Sequence, residues 1–194
     1  LGRYKEALKC CDKALQINPK SAEALHNKGH ILLTIGIHNK ALTYFNKALE
    51  LNPLLIVAWE NKATALNILE RYKQALVCYD KLISINPQSS YWTEKSDIYI
   101  ILGEYEKAAV CLEKALEIAP QGVEILTIRS HALTFLGRHE EVLDCCEKGL
   151  LIDPHCFDAW NDKGKALYNL ERYKEALACF EKALNIDPEK EQVL

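Results

Sequence analysis

Apolar residues recur along this chain at helical spacing. Between Ile56 and Asn86, Trp59, Ala63 and Leu66 fall at i, i+4 and i+7, which is one face of a helix. After a break at Glu70-Arg71, Ala75, Tyr79 and Leu82 repeat the same spacing. The pattern predicts two helices of about a dozen residues joined by a short turn, an antiparallel hairpin. Small residues at Ala63 and Ala75 let the two backbones approach, and Trp59 and Tyr79 fill the space around them.

The hairpin is one copy of a repeat. Pro19, Pro53, Pro87, Pro120, Pro154 and Pro188 are spaced 34, 34, 33, 34 and 34 residues apart. Each follows a phrase such as Ile17-Asn18, Leu51-Asn52 or Ile152-Asp153, and proline just past a helix end cannot continue the hydrogen-bond ladder. The small residue of the first helix is Gly29, Ala63, Ser96, Ser130 and Gly164 in turn. Its counterpart in the second helix is Ala7, Ala41, Ala75, Ala108, Val142 and Ala176. The short break carries Gly2, Gly36, Gly103 or Gly137, with Glu70 and Glu171 in the other two. The expected organisation is a single array: an orphan second helix over 1–19, repeats over 20–53, 54–87, 88–120, 121–154 and 155–188, and the start of a truncated next helix over 189–194.

Composition adds exclusions. A net charge of -3 gives no basic stripe for nucleic acid. No run approaches the ~18 apolar residues of a membrane span, and no signal peptide opens the chain. The chain starts at Leu1 in the middle of a repeat and has no methionine, so a fragment of a longer protein is expected.

The 34-residue period, the Trp59/Ala63/Leu66 first helix, the Ala75/Tyr79 second helix and Pro87 resemble the tetratricopeptide repeat (TPR). Trp160, Gly164, Leu167, Ala176, Phe180, Ala183 and Pro188 match its pattern more closely still. The resemblance covers essentially the whole chain. It implies an all-α fold, a right-handed superhelical solenoid of antiparallel hairpins with five full repeats after an N-terminal half repeat. Pentatricopeptide RNA-binding arrays differ in favouring a 35-residue period and a basic groove.

Cys10, Cys78, Cys111, Cys145 and Cys179 occupy one slot of the second helix, and Cys11 and Cys146 the aromatic slot. They read as small packing residues in a reducing, cytoplasmic setting. Equivalent slots of stacked hairpins are too far apart for disulfides, and no CxxC suggests zinc. His26 and His30 have metal-compatible spacing, but Asn27 stands where HExxH needs glutamate. No phosphate-binding glycine loop, GxSxG or nucleophile–base pair is present. No metal, cofactor or enzymatic activity is therefore expected.

A binding face is expected instead. By helical angle, Val57, Asn61, Thr64 and Ile68 point away from the core of their hairpin, and repeats of this kind line a concave surface with their first helices. The equivalent positions are His26, Asn27, His30 and Thr34; Thr93, Glu94, Asp97 and Ile101; Thr127, Ile128, His131 and Phe135; and Asn161, Asp162, Lys165 and Asn169. Carboxamides can bond an extended peptide backbone while Ile68, Ile101 and Phe135 offer apolar contact. The candidate groove comprises His26, Asn27, His30, Asn61, Thr64, Ile68, Asp97, Ile101, His131, Phe135, Asn161 and Lys165.

Asn27 and Asn61 resemble the start of the asparagine ladder of the O-linked GlcNAc transferase, which then fails at Glu94, Ile128 and Asp162. The two-carboxylate clamp of chaperone-binding relatives is missing, so no affinity there for acidic heat-shock tails is expected. Leu54 to Val57 form an apolar run that either packs a loop or meets a partner. The uncapped ends, with Leu8, Cys11 and Leu15 exposed at one and Glu191 to Leu194 at the other, suggest end-to-end self-association. The function expected is a protein–protein interaction scaffold for a peptide or partner protein. The alternatives are a recruitment arm of a larger enzyme and a self-assembling spacer.

Overall fold

The computed structural model describes residues 2–188, and every regular element among them is helical. Eleven α-helices follow in order: α1 (Gly2–Ile17), α2 (Ala22–Thr34), α3 (His38–Leu51), α4 (Ile56–Ile68), α5 (Tyr72–Ile85), α6 (Ser89–Ile101), α7 (Tyr105–Ile118), α8 (Val123–Phe135), α9 (His139–Ile152), α10 (Phe157–Asn169) and α11 (Tyr173–Ile186). The all-α repeat fold expected from the hydrophobic period is therefore present. The truncated helix expected at Glu191 to Leu194 lies outside the described residues.

The chain divides after Pro87 into two compact units. In the first, α2 packs on α3, α3 on α4 and α4 on α5, with α1 against α2. In the second, α6 through α11 pack each on the next, and α8 also meets α10.

Each hairpin turn is closed the same way. At the end of α4, the Arg71 amide donates to the Leu66 carbonyl at 2.8 Å and the Glu70 amide to Asn67 at 2.9 Å. This cap needs one residue in the left-handed region, which favours glycine. Gly36, Gly103 and Gly137 supply it with φ of 82°, 72° and 69°. Glu70 and Glu171 adopt it at 55° and 61°, against the steric preference of a side-chain-bearing residue.

Helices of a hairpin meet by complementary sizes. A Cβ on Gly29 would lie 2.7 Å from the Phe45 ring, and one on Gly164 would overlap the Phe180 ring. Where the first helix carries Ala63, Ser96 or Ser130, the facing slot holds Tyr79, Leu112 or Cys146. Ala41, Ala75, Ala108 and Val142 are fully buried. The tryptophans brace the loops: Trp59 Nε1 donates to the Pro53 carbonyl at 2.9 Å and Trp160 Nε1 to Pro154 at 3.0 Å. This ties each first helix to the proline that closes the preceding repeat.

Two expectations about the surface change. Leu8, Cys11 and Leu15 are half-buried rather than exposed, because they face α2, and Leu15 packs on the Leu25, Ala48, Leu49 and Ala58 cluster. Within the Leu54 to Val57 run, Leu55 joins that cluster while Leu54 and Val57 stay exposed.

Candidate functional site

The face of the first helices turned away from the second helices carries the candidate residues, and each unit presents its own. In the first unit, α2 and α4 lie side by side. His26 Nε2 is 2.8 Å from Asn61 Nδ2, and His26 Nδ1 is 3.3 Å from Asn27 Oδ1. The amide nitrogen of Asn61 can only donate, so Nε2 accepts and Nδ1 carries the proton toward Asn27. Burial supports this neutral ring by holding the His26 pKa below 6.5, with the His30 ring also disfavouring charge. His30 stacks on His26 with centroids 6.2 Å apart. Thr64 is exposed and its hydroxyl donates to the Glu60 carbonyl at 3.0 Å. Ile68 keeps 52% of its surface open. The structure thus brings His26, Asn27 and Asn61 into one hydrogen-bonded patch, with His30 stacked on it and Ile68 further along the same face.

In the second unit, α6 presents Asp97 and Ile101. Asp97 is an exposed residue, yet burial of its carboxyl, followed by the charges of Glu94 and Glu124, pushes its pKa above the usual carboxylate range. On α8, His131 Nε2 lies 3.0 Å from Asp162 Oδ2, and this carboxylate raises the imidazole pKa. Phe135 is 67% exposed and stacks on Tyr105 with centroids 4.5 Å apart. Lys165 is half-buried.

Asn161 departs from the expectation. It is buried at 5% exposure, and its neighbour Asp162 is buried at 7%. Helix α10 packs on α8, α9 and α11, so these two positions turn into the helix seam instead of an open face. There the Ser130 hydroxyl donates to Asp162 Oδ2 at 2.6 Å. Serine, histidine and aspartate meet here, but the serine donates to the aspartate and not to the histidine, so no nucleophile is activated.

The patterning missed one relationship: His26 and His131 each bond the first helix of the following repeat. Asn61 and Asp162 share a slot of the repeat, and His26 and His131 stand 35 and 31 residues before them. That offset of about one period was the available signal.

The cysteine slot is buried at Cys78, Cys111, Cys145 and Cys179, and exposed at Cys10 on α1, which buries no side chain. Burial pushes the Cys78 thiol up to about 11 and raises Cys145, Cys146 and Cys179 as well. Thiols held protonated are poor nucleophiles and poor ligands. Among the described residues no three of histidine, cysteine, aspartate or glutamate converge as metal ligands. No helix among them is long and apolar enough to cross a membrane.

Family models of the tetratricopeptide repeat match residues 22–53, 56–89, 89–121 and 136–194, and a TPR repeat model matches 1–36. No curated protein matches. Among solved structures, YrrB, described as a TPR protein with an unusual peptide-binding site, is 23% identical with a TM-score of 0.78 over 94% of this chain and 95% of its own. MamA is 16% identical with a TM-score of 0.78, covering 90% of this chain and 96% of its own. A tetratricopeptide repeat protein from Parabacteroides merdae is 22% identical with a TM-score of 0.70, covering 95% and 73%. At these identities the likeness is one of fold.

Proposed function

Since the chain belongs to the tetratricopeptide repeat proteins, whose fold supports protein-interaction scaffolds, we propose that its first-helix faces bind an extended peptide or partner protein and that it performs no chemistry of its own. The observation carrying this reading is the composition of those faces. Ile68, Ile101 and Phe135 stand 52%, 62% and 67% exposed beside polar groups fixed by the fold. A solvated helix surface has no use for open apolar anchors at matched slots, whereas a peptide gains contact area from them. Asn27 and His30 are exposed beside them and can meet peptide amides. The peptide-binding description of YrrB fits the same use of the fold.

The test selects binders from a random peptide library displayed on phage and measures their affinity by calorimetry. Replacing Ile68, or Ile101 together with Phe135, by serine is expected to weaken a selected peptide by about tenfold or more. Those side chains are open, so the fold survives their loss. Unchanged affinity in both variants overturns the assignment. A recruitment arm or a self-assembling spacer then remains, the latter marked by a mass that rises with concentration in light scattering.

A further inference from the structure

Basic residues recur at two slots of this repeat, and at Lys28, Lys163, Arg138 and Arg172 a carboxylate of the chain pairs with them. The first slot holds Lys28, Lys62, Lys95, Arg129 and Lys163. Within each unit the slot facing Lys28, Lys62, Arg129 and Lys163 on the preceding second helix holds Asp12, Asn46, Glu113 and Glu147. Lys28 pairs with Asp12 at 2.5 Å and Lys163 with Glu147 at 2.9 Å. Lys62 has Asn46 instead, and its ammonium lies over the Trp59 ring, 4.9 Å from the centroid.

The second slot holds Arg3, Arg71, Arg138 and Arg172, each followed three residues later by Glu6, Gln74, Glu141 and Glu175. Arg138 pairs with Glu141 at 2.5 Å and Arg172 with Glu175 at 2.8 Å. Arg138 also reaches Glu106 on the preceding second helix at 3.4 Å. The residue equivalent to Glu106 for Arg71 is Asn39, which accepts its guanidinium at 3.0 Å. Three carboxylates of the pattern are therefore carboxamides around Lys62 and Arg71. Among the described residues neither cation has a carboxylate within ion-pair distance.

All five side chains line one cleft of about 430 Å³ in the first unit, between α3 and α5, with Trp59 and Leu66 of α4 among its lining residues. By helical angle this is the side of α4 opposite Asn61, Thr64 and Ile68. The volume lies in the range of ligand clefts, roughly 300–1,000 Å³. Two uncompensated positive charges on a partly apolar wall attract an anion more strongly than they would in open water. The guanidinium offers paired donors that match a carboxylate. Asn39, Asn46 and Gln74 each carry a donor and an acceptor, which suits peptide N–H and C=O groups flanking that carboxylate.

We propose that this cleft is a second binding site, for an acidic peptide segment whose aspartate or glutamate side chain sits between Lys62 and Arg71. At Lys28, Lys163, Arg138 and Arg172 that place is taken by the protein's own carboxylates. The site is independent of the first-helix faces and stands or falls separately from them.

The probe is a tetraglutamate peptide, acetylated and amidated so that only side chains are charged, titrated into the whole chain by calorimetry. Saturable binding with one peptide per chain is expected, weakening as salt is raised. Lys62→Gln and Arg71→Gln each weaken it by about tenfold or more. The decisive variant is Asn46→Asp with Gln74→Glu. It keeps both cations but supplies carboxylates like those that pair with Lys28, Lys163, Arg138 and Arg172, so it folds and still loses binding by about tenfold or more. Circular dichroism and thermal unfolding verify its fold. Absence of saturable binding by the wild-type chain overturns the proposal, as does undiminished binding in the double variant. Displacement of the peptide by an equal concentration of inorganic phosphate overturns its assignment to a peptide.

Discussion

His131 on α8 and Asp162 on α10 meet at 3.0 Å, joining two successive first helices through a carboxylate that the Ser130 hydroxyl also reaches at 2.6 Å. In the other unit, His26 meets Asn61, the residue in the same slot as Asp162, at 2.8 Å. One histidine is thus opposed by a charge, which raises its pKa, while burial lowers that of the other.

Opposite responses to pH are expected from the two rings. The Asp162 hydrogen bond raises the His131 pKa above 6.5 despite partial burial. Its stabilising contribution is complete below 6.5 and is lost as pH rises through the raised folded value. Burial lowers the His26 pKa below 6.5, so its contribution is present above 6.5 and is lost as pH falls toward the folded value. Proton NMR titration should place the His131 midpoint above 6.5 and that of His26 below it. Asp162→Asn should bring His131 down. A His131 midpoint at or below 6.5 in the wild type contradicts the tie.

The two glutamates in the left-handed cap conformation are sites for stabilisation. Glu70→Gly and Glu171→Gly are each expected to gain about 0.5–1 kcal/mol, because steric strain of ~1–2 kcal/mol is relieved against the greater chain entropy of glycine. Urea unfolding measures this. Gly137→Ala, with φ at 69°, should lose a similar amount. A loss of stability in both glutamate variants contradicts the account of the cap.

Gly29 and Gly164 answer to aromatic rings. Gly29→Ala places a methyl against Phe45, which is fully buried and has nowhere to move. Overpacking of roughly 1–3 kcal/mol exceeds the ~1 kcal/mol gained in helix propensity, leaving a net loss of about 1 kcal/mol. Phe180 is only half-buried and can swing outward, so Gly164→Ala should cost less. Thermal unfolding of the two variants ranks them. The reverse order would show that ring mobility does not decide the cost.

Thiol labelling should separate the cysteines. Cys10 is exposed, while Cys78, Cys111, Cys145, Cys146 and Cys179 are buried. A maleimide reagent in native buffer should modify Cys10 first and reach the buried five only on the timescale of local opening. Mass spectrometry of digested samples reads the order.

The proline ladder and the helical spacing made the fold legible, because a repeat states its packing rule several times. The small residue at Ala63 and its partner slot at Tyr79 were readable for the same reason. Helical angle also located the open faces, since it follows from backbone geometry alone. It failed at Asn161, where burial depends on how α10 settles against α8, α9 and α11. The sequence reading also erred at Leu15, expected to be exposed but half-buried by its packing on the Leu25 and Ala58 cluster. The cleft around Lys62 was missed because each residue looks ordinary alone. Asn46, Gln74 and Asn39 stand out only when compared with the acids at equivalent slots.

Chemical-shift mapping of a library-selected peptide on the isotope-labelled chain tests the interaction face most directly. Perturbed amides are expected to cluster at Asn27, His30, Thr64 and Ile68 or at Asp97, Ile101, His131 and Phe135. Perturbations confined to the outward surfaces of the second helices, at Val77, Val110 or Leu177, would contradict it.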